Sequence, residues 1–170
     1  VIDLFPLHWM PRRIYQMIAN GRVNGRYGGG RYAGQRPFAV GHTLGATMMI
    51  KREAIEATGL FDEQFFMYVE EVDWSMRIHR AGFRIYCEPR AVVTHLGGQS
   101  TTQVRGQSLL NLWTSRFRFF QKYYAPWRLG LARWLVRRGA ALQIQQAAFT
   151  IEDESQRQDV IDAWQTIGRM

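Results

Sequence analysis

Apolar and polar positions alternate differently in the two halves of the chain. Residues 1–20 are apolar-leaning, and Ile14, Met17 and Ile18 recur at helical spacing behind Pro11, which predicts a partly helical lead-in. Residues 20–35 break that pattern with six glycines and three arginines and read as a flexible loop. Residues 38–50 are apolar, and 43–50 are expected to form a buried strand in which Gly45 and Ala46 leave room for a close neighbour. Lys51 to Thr58 predicts a short helix stopped at Gly59. Residues 70–81 predict a longer one closed by Gly82, with Val72, Met76 and His79 on one face and Trp74, Ile78 and Ala81 beside it. Residues 83–87 alternate as a strand until Pro89, and the β-branched run at 91–95 predicts a second. A loop over 95–100 follows. Beyond it the period becomes helical. Leu109, Trp113, Phe117, Phe120 and Tyr124 mark a helix over 108–124. Pro126 opens another to about Arg138, and a polar helix with an acidic start covers 152–167.

Charge sharpens this division. The chain of 170 residues has a formal charge of +8, but in blocks: +5 over residues 1–50, −3 over 51–88, +9 over 89–151 with no acid at all, and −3 over 152–170. Basic blocks around an acidic centre suit phosphates, nucleotides or anionic lipid. The helices over 108–138 interleave arginines with aromatics. They either lie on a membrane surface or pack their apolar faces on the domain. The single cysteine, Cys87, excludes an internal disulfide or a cysteine zinc cluster and points to a reducing compartment. No run of 18 apolar residues is present. Nothing matches a nucleic-acid-binding motif, so nucleic acid ranks last among partners.

The acidic centre is the candidate for chemistry. Asp62, Glu63, Glu70, Glu71 and Asp73 fall within twelve residues, among Phe61, Phe65, Phe66, Met67, Tyr68 and Trp74. Carboxylates between apolar residues suit acid–base work or cation binding. They equally suit an ordinary helix start, where the dipole favours anions. Glu70 and Asp73 share one side of the predicted helix and Glu71 lies about 100° round. His95, at a strand end before two glycines, is a second candidate.

Gly45-Ala46-Thr47-Met48-Met49-Ile50-Lys51-Arg52, followed by Gly59-Leu60-Phe61-Asp62-Glu63-Gln64-Phe65-Phe66-Met67-Tyr68-Val69-Glu70-Glu71-Val72-Asp73-Trp74, resembles the second half of family 2 glycosyltransferases. Arg77, Ala81-Gly82-Phe83, Pro89-Arg90-Ala91 and His95 continue the likeness, which covers roughly residues 40–125 and is closest to the rhamnosyltransferase-like branch that builds cell-envelope polysaccharides in bacteria. The resemblance implies an inverting, nucleotide-sugar-dependent enzyme with an α/β GT-A (Rossmann-like) fold, here a partial domain with a small mixed sheet followed by C-terminal amphipathic helices. It divides the chain into a lead-in and Gly/Arg-rich loop over 1–37, an acceptor-side half over 38–106 and a helical region over 107–170. It assigns Glu71 as the base that deprotonates the acceptor hydroxyl, with Asp73 and then Glu70 as alternatives. Gly45, Ala46, Tyr68, Trp74 and Arg77 become substrate-binding candidates, with Phe65 and Phe66 either further wall residues or part of the core. His95 becomes a ligand of a divalent metal, Mg or Mn, in the complete enzyme.

The family's Asp-x-Asp motif occurs nowhere in the chain. The nucleotide-binding half would precede Val1, so the chain is not expected to turn over alone. The implied partners are a nucleotide-sugar donor and a polysaccharide or lipid-linked acceptor, met at the cytoplasmic face of a cell membrane. Two other readings stand beside this one: a non-catalytic basic module on an anionic membrane surface, and a non-catalytic half that homodimerises over an exposed sheet edge.

Overall fold

The computed structural model describes residues 27, 29–95 and 105–170. The predicted lead-in helix over 1–20 and the loop over 96–100 lie outside them. The chain falls into two compact units. One comprises 27–64 with Glu70–His95; the other comprises Phe65–Val69 with 105–170.

In the first, α/β unit, a single helical turn, α1 (Gly29–Tyr32), interrupts the glycine-rich tract. Tyr27 and Tyr32 each meet the ring of Phe38 edge-on, with centroids 5.4 Å apart. Strand β1 (Phe38–Val40) pairs antiparallel with β2 (Ile85–Cys87), Phe38 opposite Cys87 and Val40 opposite Ile85. Helices α2 (Arg52–Thr58) and α3 (Glu70–Arg80) pack together between them in sequence. Both stop where glycine punctuation predicts. Gly59 (φ 71°) returns its N–H to the Ile55 carbonyl. Gly82 (φ 87°) lets the Phe83 amide reach back to the Ile78 carbonyl, the longer bond of a Schellman turn.

Three expectations need correction here. The sheet among the described residues is one antiparallel pair, not a small mixed sheet. The strand expected over 43–50 does not form; that stretch is irregular, with a turn at 45–47 and exposed Leu44 and Met49. Gly45 and Ala46 offer no side chain to pack on a pleated surface. The pairing goes instead to Phe38–Val40, whose Val40 is buried. The run at 91–95 is likewise irregular and exposed, because β-branched residues make a strand only where another strand accepts their backbone.

The second unit is helical: α4 (Arg105–Tyr123), α5 (Pro126–Thr150) and α6 (Glu154–Ile167). Helix α6 packs on both others. Trp113, Phe117 and Phe120 of α4, Val136 and Ala140 of α5, and Trp164 and Ile167 of α6 form the core. The Trp113 and Trp164 rings meet at 6.1 Å. Pro126 opens α5, where its missing N–H costs nothing. Asp153 caps α6 by accepting the Gln156 amide at 2.7 Å. Helix α5 runs a dozen residues past the expected stop near Arg138. Gly139 does not end it, because Gly139 and Ala140 are buried contacts and that packing outweighs glycine's weak helix propensity.

The aromatic turn belongs with these helices. Phe65 is buried, with the Lys122 ammonium 5.7 Å from its ring. The Ser115 hydroxyl donates to the Met67 carbonyl at 2.7 Å.

Candidate active site

The acidic cluster opens α3. Immediately before it, Tyr68 and Val69 both take left-handed backbone (φ 66° and 71°), a conformation that a β-branched valine rarely tolerates. Strain of this kind persists only where surrounding structure holds it, and it gathers at functional sites. The turn to which both residues belong is pinned by the Ser115–Met67 bond. Glu70, Glu71 and Asp73 then occupy the first turn of α3, where amides without helical partners and the helix dipole favour negative charge.

The three carboxylates do different things. Asp73 is fully buried and paired with its i+4 neighbour Arg77, Nε to Oδ2 at 2.9 Å. The same guanidinium donates to the carbonyls of Thr58 and Leu60. Asp73 and Arg77 thus form a clamp that ties α3 to the end of α2. Trp74 reinforces it: its indole N–H lies 3.0 Å from Thr58 Oγ1 and 2.9 Å from the Gly59 carbonyl, and its ring meets Phe61 edge-on at 4.7 Å.

Among the described residues Glu71 makes no such bridge. Burial pushes its carboxyl above the usual carboxylate range and the neighbouring Glu70 charge adds to that. Its own amide, that of Val72 and His42 oppose the shift. Beside it runs the 42–46 segment. A Cβ placed on Gly45 would stand 3.7 Å from Glu71 Cβ and 4.0 Å from Glu70 Oε1. Gly45 therefore faces the first turn of α3, as close approach at a glycine suggests, although the segment is a turn and not a strand. Gly41 fixes where that segment begins. Its N–H donates to the Tyr27 hydroxyl at 3.0 Å, and its carbonyl lies 3.1 Å from His79 Nε2.

Two polar atoms of this region, Glu70 Oε2 and Thr43 Oγ1, are buried without a hydrogen-bond partner. Groups left so are exceptions in folded proteins and invite a polar ligand. Sequence reasoning passes over His42 and Thr43. Their one signal is position: with Thr47 they are the polar residues in the otherwise apolar run 38–50.

The structure brings Glu70, Glu71 and Gly45 together and places Ala46 exposed on the same turn. Tyr68 and Phe65 belong to the helical unit, and Phe66 is 82% exposed. His95 lies exposed on the irregular stretch after β2. Among the described residues no three His, Cys, Asp or Glu side chains gather as a metal set, so these residues alone do not make the expected site for a divalent cation.

The sequence has counterparts among known proteins. Over 109 residues the chain is similar to rhamnosyltransferases. It is 32% identical, over 64% of its length, to the N-acetylglucosaminyl-diphospho-decaprenol L-rhamnosyltransferase of two strains of Mycobacterium tuberculosis, and that match covers 35% of the relative. It is 26% identical over 73 residues, 43% of its length, to a dTDP-rhamnosyl transferase of Shigella flexneri, covering 25% of that protein. The chain thus spans about a third or less of the curated relatives it matches. No protein-family model matches it, and no solved structure does so significantly.

Proposed function

We propose that this chain is the acceptor-side part of an inverting, nucleotide-sugar-dependent glycosyltransferase of the rhamnosyl type, with Glu71 as the general base. The observation that carries the reading is the division of labour on α3. Asp73, Trp74 and Arg77 are engaged in the clamp, whereas Glu71 is a half-buried carboxylate of raised basicity beside the open Gly45 turn. A base of that kind suits a sugar hydroxyl, which must lose its proton as it attacks the anomeric carbon. The proton passes to the Glu71 carboxylate, the new glycosidic bond forms, and the nucleoside diphosphate leaves from the opposite face with the bonding electrons. Inversion follows from that geometry.

The orphaned Glu70 Oε2 and Thr43 Oγ1 are the proposed contacts for acceptor hydroxyls. The partial GT-A fold, the donor sugar and the lipid-linked or polysaccharide acceptor rest on resemblance to the relatives, one of which is named for a decaprenol-linked acceptor. The nucleotide site and most ligands of any divalent metal would come from sequence outside the described residues, with His95 contributing at most one.

Glu71→Gln in a complete enzyme containing this chain should lower the rate of rhamnosyl transfer about 10²–10⁴-fold, the usual contribution of a positioned base. Turnover close to that of the parent would remove Glu71 from the mechanism.

A further inference from the structure

Helix α5 is apolar on two opposite sides. Ala132, Val136, Gly139, Ala140 and Ala147 are buried, and Val136 and Ala140 join the core shared with α4 and α6. At 100° per residue, Trp127, Leu131, Trp134, Leu142 and Phe149 fall within an arc of about 80° on the opposite side. All five are exposed: Trp127 by 66%, Trp134 by 56% and Phe149 by 90%. The stripe runs about 33 Å along the helix at 1.5 Å per residue. An exposed apolar stripe of this length, interrupted by Arg138 and Gln145, marks a contact surface on a folded unit.

The charge around the stripe selects what it touches. Arg138 lies within it, Arg128 and Arg137 lie to either side, Arg137 with its Nε 3.4 Å from the Gly168 carbonyl, and no acid occurs anywhere on α5. Two of these arginines sit over the exposed indoles, Arg128 at 5.1 Å from Trp127 and Arg138 at 5.9 Å from Trp134. A second copy using the same face would set arginine against arginine with nothing to neutralise them. An anionic bilayer meets both demands. Its acyl boundary takes the Trp, Leu and Phe side chains, its headgroup phosphates take the guanidinia, and tryptophan favours that boundary. No helix among the described residues is long and apolar enough to cross a membrane, which fits a helix lying in the plane.

We infer that the outward face of α5 docks this protein flat onto an anionic lipid surface, with Trp127 and Trp134 inserted and Arg128 and Arg138 on the phosphates. Such docking needs no transfer chemistry, so its test stands apart from that of Glu71.

The 170-residue chain is floated with vesicles of phosphatidylcholine alone or with 30–40% phosphatidylglycerol, roughly the anionic content that attracts basic segments. Expected are co-flotation with the anionic vesicles only and quenching of tryptophan emission by lipids brominated near the headgroup end of the chain. The pair Trp127→Ala with Trp134→Ala should reduce binding at least about tenfold and abolish the quenching, while circular dichroism and the melting temperature stay near the parent's. The pair Arg128→Glu with Arg138→Glu should lose the preference for anionic lipid while leaving both tryptophans in place. The inference is overturned if the folded chain ignores anionic vesicles or if neither pair changes binding. It is also overturned if light scattering shows a dimer that the tryptophan pair dissociates, since a second copy would then cover the face.

Discussion

At Glu71, burial and the adjacent Glu70 charge both disfavour the ionised carboxylate, and two amides and His42 only partly offset them. The folded-state pKa therefore lies above 4.5, the ordinary value. The proton-bound form is the one the fold prefers. That preference is fully available below pH 4.5 and is lost as pH rises through the higher folded value. Glu71→Gln, with no charge to desolvate, should melt above the parent at pH 7, and the difference should vanish below pH 4.5 in paired thermal scans. A stabilised but inactive variant is the signature of a site kept basic against the interests of stability. The same shift sets the pH profile: the acid limb of kcat/KM in the complete enzyme should lie above pH 4.5, where Glu71 gives up its proton. Glu70→Gln removes the neighbouring charge and should move that limb to lower pH; an unmoved limb would assign it to another group. Asp73 responds in the opposite way to change. Arg77→Met would leave its fully buried carboxylate without the guanidinium, at a cost of about 3–5 kcal/mol in urea unfolding. Adding Asp73→Asn to Arg77→Met should recover part of that loss, because the buried charge itself is then gone.

Helices α3 and α5 show how an element acquires its role. Glycine stops, the acidic first turn and the period of Trp74 and Ile78 make α3 legible from sequence, including both ends to within a residue. Which of its acids is held in an ion pair is not legible. Spacing puts Glu70 and Asp73 on one side, but it was the carbonyls of Thr58 and Leu60, reached across the fold, that engaged Arg77 and with it Asp73. Helix α5 hid its length because Gly139 looks like a stop, and its burial is not visible in the sequence. Its two apolar sides also cancel as a pattern, so the sequence shows a basic aromatic helix without saying which ring faces inward. The α4–α6 contact offers a check on this packing. The Gly106 amide donates to Asp159 Oδ2 at 2.8 Å, and a Cβ on Gly106 would overlap that carboxylate and stand 2.7 Å from the Asp159 carbonyl oxygen. Gly106→Ala should therefore destabilise the helical unit by about 1–3 kcal/mol, read as an earlier loss of helix signal in denaturant.

Across the whole molecule, charge separates into blocks. The acidic centre lies in the α/β unit, and the acid-free block over 89–151 carries the basic helices. If α5 meets phosphates as inferred, raising salt from 0.15 to 0.5 M should weaken anionic-vesicle binding several-fold, because screening shortens the reach of surface charge below about 8 Å. Insensitivity to salt would leave the arginines without a part in docking. Local chemistry settled a good deal of this in advance: glycine and proline punctuate through backbone geometry, carboxylates gather at a helix start through its dipole, and the 3.6-residue period marks a helix wherever one side must be buried. The partners of those elements are non-local and had to await the tertiary structure. Residues 43–50 and 91–95 carry apolar, partly β-branched runs, yet no strand takes their backbone, so neither joins the sheet. Phe65 suits a sugar-facing wall or a core from its sequence alone, and it is buried in the helical unit. The sequence by itself determined where α2, α3 and α6 start and stop, where α5 starts and where charge accumulates; only the tertiary structure decided how far α5 runs, which carboxylates stand beside Gly45 and which tryptophans are left in water.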